Sequence, residues 1–270
     1  MRSKLAFLVA VALIAPLAGT RFAHAPLAGP AGIPSDSFAP QPVVIELFTS
    51  EGCSSCPPAD AFLKQLDDAG RVNDVEIIAI EEHVDYWDRL GWRDPFSSHK
   101  WTERQEKYSR SLGHDGIYTP QLVVNGRSEL VGKSSRDARR EIIEASKIVG
   151  AKLLLSTTSS SQRSVEFSIV IENIPIEARS AQLLLAVTER GLSSNVLRGE
   201  NEGRNLSHAA VLRSLSRVSF AQGITSGPTE AKAAVALDPS WKRENLRFVI
   251  LLQDSKTLHI LGAAGSTIPH

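Results

Sequence analysis

The only two cysteines of the chain stand three residues apart, in Cys53-Ser54-Ser55-Cys56, between an apolar run and a pair of prolines. A bridge this local closes almost no chain, so it restrains the unfolded state little and makes a poor structural staple. A structural zinc site needs about four ligands, and there is no second Cys-x-x-Cys to complete one. A redox pair is therefore the leading reading of the motif. Its flanks sharpen it. Val43–Phe48 is a short apolar run broken only by Glu46 and bounded by Pro42 and Thr49-Ser50-Glu51-Gly52, which predicts a buried strand. Pro57-Pro58 suits a first helical turn, and Ala59–Ala69 follows with an apolar stripe at Phe62, Leu63 and Leu66 before Gly70. The cysteines thus fall where a strand hands over to a helix N-terminus. Free N–H groups and the helix dipole there favour a thiolate. Cys53 is the expected attacking thiol and Cys56 the resolving one.

The same reading continues along the chain. Val75–Ile80 is a second apolar strand, and Ser98–Leu112 is a helix stopped by Gly113. Gln121–Val124 and Arg127–Val131 form a hairpin around Asn125-Gly126, the dipeptide of a tight type I′ turn. Ser134–Val149 is a helix, capped by Ser134 with Asp137 and turning Ile142, Ile143 and Ile148 inward. After Gly150 the period shortens: Val165, Phe167, Ile169 and Ile171 alternate with Ser164, Glu166, Ser168 and Val170, and further β-like runs extend to Ala263.

The N-terminus reads as an export signal. Arg2 and Lys4 precede the apolar run Leu5–Leu17, and Ala23-His24-Ala25 has the form of a cleavage site. Pro26 is awkward directly after such a cut, which leaves cleavage elsewhere or retention as an anchor as alternatives. Residues 26–42, with five prolines, read as a linker. Lys plus Arg equals Asp plus Glu at 30 each, a balance that gives no support for nucleic-acid or membrane-surface binding.

Residues 43–149 resemble a thioredoxin-like domain, on Val43-Val44-Ile45-Glu46-Leu47-Phe48 before the cysteines and on Gly116-Ile117-Tyr118-Thr119-Pro120-Gln121-Leu122-Val123-Val124-Asn125-Gly126. The resemblance implies a cis peptide before Pro120, facing the cysteines and leaving the strand end open to a substrate backbone beside Thr119. It implies a buried acid at Glu46 that handles the proton of the resolving thiol; an acid merely paired with a lysine is the competing reading. Gly52 stands where thioredoxins carry a Trp, so substrate contact would fall to Gly52, Ser54 and Ser55. Over nearly the whole mature chain, the sequence resembles a family of exported bacterial proteins labelled DUF1223. That likeness rests on Cys53-Ser54-Ser55-Cys56-Pro57-Pro58-Ala59-Asp60, His83-Val84-Asp85-Tyr86-Trp87-Asp88, Leu90-Gly91-Trp92-Arg93-Asp94-Pro95-Phe96, Gly199-Glu200-Asn201, His208 and Arg213.

The expected fold class is an α/β thioredoxin-like N-terminal domain (strand-helix-strand-helix-hairpin-helix) followed by an all-β sandwich-like C-terminal domain. The expected boundaries are a signal at 1–25, a linker at 26–42, and domains at 43–150 and 151–270. The expected function is thiol–disulfide exchange with protein clients and a redox partner in the periplasm or outside the cell, with no cofactor, no nucleic acid and no stable membrane span after processing. One alternative is delivery of a soft metal such as copper by the same thiolates. Another is a non-enzymatic envelope binding module. The segment His83–Phe96 reads either as packing around Trp87 and Trp92, with Asp88 and Asp94 capping helices, or as a metal site using His83 and Asp85, with or without the thiolates. Arg198, Glu200, Asn201, Arg204 and His208 form a polar loop cluster that either contacts the first domain or a client or is simply hydrated.

Overall fold

The computed structural model describes residues 40–268 except 132–134, 176–177, 179 and 221–226. The signal and linker expectations, apart from residues 40–42, and the Ser134 cap lie outside the described residues.

Strand β1 (Val43–Thr49) is buried along its whole length, because both of its faces are covered. Val43, Ile45 and Leu47 pack on Phe62, Leu63 and Leu66 of helix α1 (Pro57–Ala69) and on Ile142 of helix α3 (Ser135–Ala145). Helix α1 begins at Cys56 with prolines in its first turn and ends at Gly70, as the sequence predicts. After the two-residue strand β2 (Arg71–Val72), strand β3 (Val75–His83) runs parallel to β1, the arrangement that a helical crossover imposes. Helix α2 (His99–Leu112) is capped by Ser98, whose hydroxyl accepts the Lys100 N–H. Strands β4 (Gln121–Val124) and β5 (Ser128–Val131) form the expected hairpin, with β4 antiparallel to β1. Helix α3 is shorter than predicted, and Ile148 lies 44% exposed beyond its end.

The second half is built of strands β6 (Lys152–Ser160), β7 (Ser164–Glu172), β8 (Ala181–Glu189), β9 (Leu192–Asn195), β10 (Asn205–His208), β11 (Val211–Val218), β12 (Thr229–Ala236), β13 (Leu246–Asp254) and β14 (Ile260–Thr267). Strands β6, β7 and β12 make a three-stranded sheet, and the predicted alternation on β7 aims Val165, Phe167, Ile169 and Ile171 into a core shared with Leu185, Val187, Phe248 and Ile250. This core gives the second half its sandwich character.

The expected fold class is corrected at the large sheet. Strands from both halves join in one mixed nine-stranded sheet, in the order β14-β13-β8-β11-β3-β1-β4-β5 with β2 on the flank of β3. The described chain is mostly β with three α-helices, not a helix-rich thioredoxin-like domain followed by a separate sandwich. The junction is β3. Its free edge is covered by β2 at its start and by β11 at its end, where Val211 pairs with Glu81 and the Glu81 N–H donates to the Ala210 carbonyl at 2.8 Å. An apolar strand with an open edge needs a partner, and here the distant half of the chain supplies it. The sheet also curls. The Ile260 N–H at the start of β14 donates to the Asn125 carbonyl at 2.9 Å, and Val44, Ile78, Val249, Leu251 and Ile260 share one core.

Candidate functional site

Cys53 and Cys56 are joined in a disulfide, with Cα atoms 5.4 Å apart. The loop from β1 to α1 shapes the pair: the Cys53 N–H donates to Ser50 O at 3.1 Å, and the Cys56 carbonyl accepts the N–H groups of Ala59 and Asp60. Both cysteines are fully buried, whereas Ser54 is exposed and Ser55 half-buried, with its Oγ 3.3 Å from Cys53 Sγ. The turn following β9 straps the loop from outside. Asn201 Nδ2 donates to the carbonyls of Glu51 and Cys53 at 2.8 and 2.9 Å, and the Ser54 N–H donates to Glu200 Oε2 at 3.0 Å.

The Thr119–Pro120 peptide is cis. Because Gln121 pairs with Phe48, Thr119 and Pro120 lie at the end of β1 from which the cysteine loop departs. Trp87 Nε1 donates to Thr119 Oγ1 at 2.9 Å, and a Cβ placed on Gly52 would stand 3.0 Å from Trp87 Cβ. Gly52 therefore lets Trp87 settle against the cysteine loop, and Trp87 links that loop to the Thr119–Pro120 segment. Gly52, Ser54, Ser55, Cys53, Cys56, Thr119 and Pro120 thus share one end of the sheet.

Glu46 is placed differently. It is buried as predicted, yet it points away from α1, to the face where Arg104 and Tyr108 of α2 hold it. Arg104 Nε donates to Glu46 Oε1 at 2.8 Å and lies 3.3 Å from Glu82 Oε1, and Arg104 Nη1 donates to Gln253 Oε1 at 3.1 Å. The buried acid on the cysteine side is Asp60, one helical turn beyond Cys56, which accepts the Thr49 hydroxyl at 2.6 Å. Burial raises the Asp60 carboxyl to about 7, aided by the Glu81 charge and opposed by the Thr49 hydrogen bond.

Beneath the loop lies a buried set of histidines and carboxylates. His83 and Glu81 are two apart on β3 and so share a face, and His208 arrives from the end of β10. His208 Nδ1 is 2.8 Å from Glu81 Oε1, and its Nε2 is 2.9 Å from Glu51 Oε1. His83 Nδ1 is 2.7 Å from Asp94 Oδ2, which also accepts the Glu51 N–H at 2.8 Å. Trp92 Nε1 donates to Glu51 Oε2 at 2.7 Å, and Ser194 donates to Glu51 Oε1. Burial works against a charged His208, but Glu81 and Glu51 outweigh it and lift the ring to about 9. Burial likewise opposes a charged His83, and Asp94 and Glu81 outweigh it, raising that ring as well. For Glu81, burial acts upward while His208 and then His83 pull the carboxyl far below its usual range.

The sequence singled out His83, Trp87, Trp92, Asn201 and His208 without pairing them. Glu51, Asp60 and Glu81 were not picked out as site residues. A usable signal existed: Glu81-Glu82-His83 ends an apolar strand, and charges are costly in a buried strand unless they are partnered. The Glu200–Asn201–His208 cluster does contact the cysteine region. Asp88 and Asp94 cap no α-helix; Asp88 opens a short 3-10 turn and Asp94 accepts from Glu51, His83 and Phe96. His114 lies 44% exposed, 2.8 Å from Glu129. No helix among the described residues is long and apolar enough to cross a membrane.

Among solved structures, a protein of Agrobacterium tumefaciens is 27% identical, matched over 84% of this chain and 97% of that one with a TM-score of 0.62. HBP35 of Porphyromonas gingivalis has the same TM-score at 13% identity, over 85% of this chain and 76% of that one, a likeness of fold alone. Comparison with curated proteins finds no match. Residues 44–253, which include the cysteine loop, its Asn201 strap and the buried histidines, match the family described as "Protein of unknown function (DUF1223)", and the chain belongs to that family.

Proposed function

We propose that the chain is an exported thiol–disulfide exchange protein working through Cys53 and Cys56. One observation carries the reading: the chain's only cysteines are bonded across a four-residue loop at a helix N-terminus, where a bridge contributes little to stability but a thiolate is favoured. When the pair acts as oxidant, a client thiolate attacks one sulfur of the disulfide and forms a mixed disulfide. A second client thiolate resolves it, so the client loses two electrons and Cys53 and Cys56 leave as thiols. The reverse sequence, with Cys53 attacking a client disulfide, reduces the client. In its oxidised state the pair offers no thiolate to a soft metal. The N-terminal pattern of Arg2, Lys4, Leu5–Leu17 and Ala23-His24-Ala25 supports a periplasmic or secreted site of action.

The test is trapping. Cys56→Ser should accumulate mixed disulfides through Cys53 with clients or glutathione, and Cys53→Ser should abolish exchange. A folded protein whose bridge resists excess dithiothreitol would sink the reading. Because both cysteines are buried, exchange requires the cysteine loop to open, and Glu200 is the exposed contact holding Ser54. Glu200→Ala should therefore speed reduction of the bridge by a small dithiol several-fold without altering the far-ultraviolet circular dichroism. A stopped-flow series with dithiothreitol measures it, and an unchanged rate would assign the barrier elsewhere.

A further inference from the structure

We infer that Glu81, His83 and His208 form a binding site for one divalent transition ion of the zinc class, separate from the cysteines. One ligand atom from each residue lies within 4.8 Å of the other two, and all three residues are buried. Glu81 Oε1 is 3.3 Å from His83 Nε2, the spacing of ligand atoms around a tetrahedral ion with bonds of about 2 Å, and 2.8 Å from His208 Nδ1, a hydrogen bond that an ion would replace.

Three observations point to a ligand rather than to packing alone. First, His83 Nε2 is buried and makes no hydrogen bond, although it faces Glu81. A buried ring nitrogen held by no hydrogen bond is costly, and an ion that displaces its proton would satisfy it. Second, each candidate ligand has its outer atom fixed: Asp94 holds His83 Nδ1, Glu51 holds His208 Nε2, and the Ala209 N–H holds Glu81 Oε2 at 2.7 Å. Carboxylates on the far nitrogens of two histidines, with the near atoms converging, are the outer partners that orient metal-binding imidazoles. Third, three buried carboxyl groups, Glu51, Glu81 and Asp94, contact the two imidazoles, surroundings whose charge suits a divalent cation. The rings of His83 and His208 stand 4.6 Å apart in a T arrangement, and the Phe96 ring walls them at 5.4 Å from each.

Two imidazoles and one carboxylate select zinc or its neighbours over calcium and magnesium, which take oxygen ligands. Three protein ligands leave a tetrahedral ion one further position. The inference does not rest on the exchange reading, since neither sulfur takes part.

The full mature chain, stripped with a chelator, is titrated with Zn²⁺ by calorimetry and with Co²⁺ by visible absorption. One equivalent should bind, with cobalt d–d bands and no thiolate charge-transfer band. His83→Gln and His208→Gln should each weaken binding by about 100-fold or more. The Cys53→Ser/Cys56→Ser double variant should bind as the parent does. Absence of binding at micromolar metal, or its loss in the double cysteine variant, would overturn the site. Should the histidine variants fail to fold, crystals of the parent grown with Zn²⁺ decide: an anomalous peak between Glu81, His83 and His208 supports the site, and its absence there refutes it.

Discussion

Arg104→Leu is expected to destabilise the protein by about 3–5 kcal/mol, read as a fall in the urea midpoint at unchanged slope. Arg104 is the cation between two carboxylates that are 1% and 0% exposed, Glu46 on β1 and Glu82 on β3. It also reaches Gln253 on β13 and the Tyr108 hydroxyl. A leucine there fills part of the volume but leaves both acids without a counter-charge in a dry core. Adding Glu46→Gln and Glu82→Gln to the leucine variant should recover part of the loss, because the penalty belongs to the stranded charges. The pH dependence follows from Glu82, whose carboxyl is raised well above the ordinary 4.5 by burial first and by Glu46 next, with Arg104 opposing. A group whose folded value is raised favours folding fully below its unfolded value and loses that contribution as pH rises through the folded one. Without Arg104 the folded value rises further. The unfolded value is common to parent and variant and cancels, so the deficit should stay small below the parent's raised folded value and grow as pH rises through it. A deficit independent of pH would mean that lost packing, not charge, dominates.

Gly126→Ala is the second large effect, with an expected cost of more than about 3 kcal/mol. Asn125 and Gly126 have φ values of 46° and 64°, the two positive angles of a type I′ turn. In an isolated hairpin an alanine there would cost only the backbone strain. Here the turn is docked: a Cβ on Gly126 would lie 2.1 Å from the Leu258 carbonyl oxygen and 3.2 Å from the Tyr108 ring. Asn125 meanwhile holds the Val44 N–H on its side chain at 2.8 Å and the Ile260 N–H on its carbonyl. Relieving the clash pulls the turn off β1 and β14 together, so the damage should spread to both halves of the sheet. Amide exchange checks this: protection should fall at Val44 and Ile260 as well as in the turn. Loss confined to residues 124–128 would contradict the docking argument.

These two sites show where sequence reasoning reaches its limit. The Asn-Gly turn was legible because its backbone demand is local, but the carbonyl of Leu258 against it was not. Glu46 was legible as a buried acid, because a charge in an apolar strand stands out. Its partner was not, since an arginine 58 positions away on an exposed-looking helix leaves no mark in the strand. The alternation on β7 identified a core face correctly without saying that the opposing face would belong to a sheet extending into the first half.

What the sequence determined by itself about this protein is what depends on neighbours in the chain. It set strand β1, helix α1 between its prolines and Gly70, helix α2 up to Gly113, the hairpin, and a cysteine pair spaced to close on itself. What the tertiary structure alone decided is which distant segments meet. The β3 edge takes β11 and merges the two halves into one sheet, and that pairing brings His208 to Glu81 across 127 positions and Asn201 onto Cys53 across 148. The physical reason is that backbone hydrogen bonds on an open strand edge are alike in every sequence, so the pattern of side chains announces that an edge and a buried charge need partners without naming them.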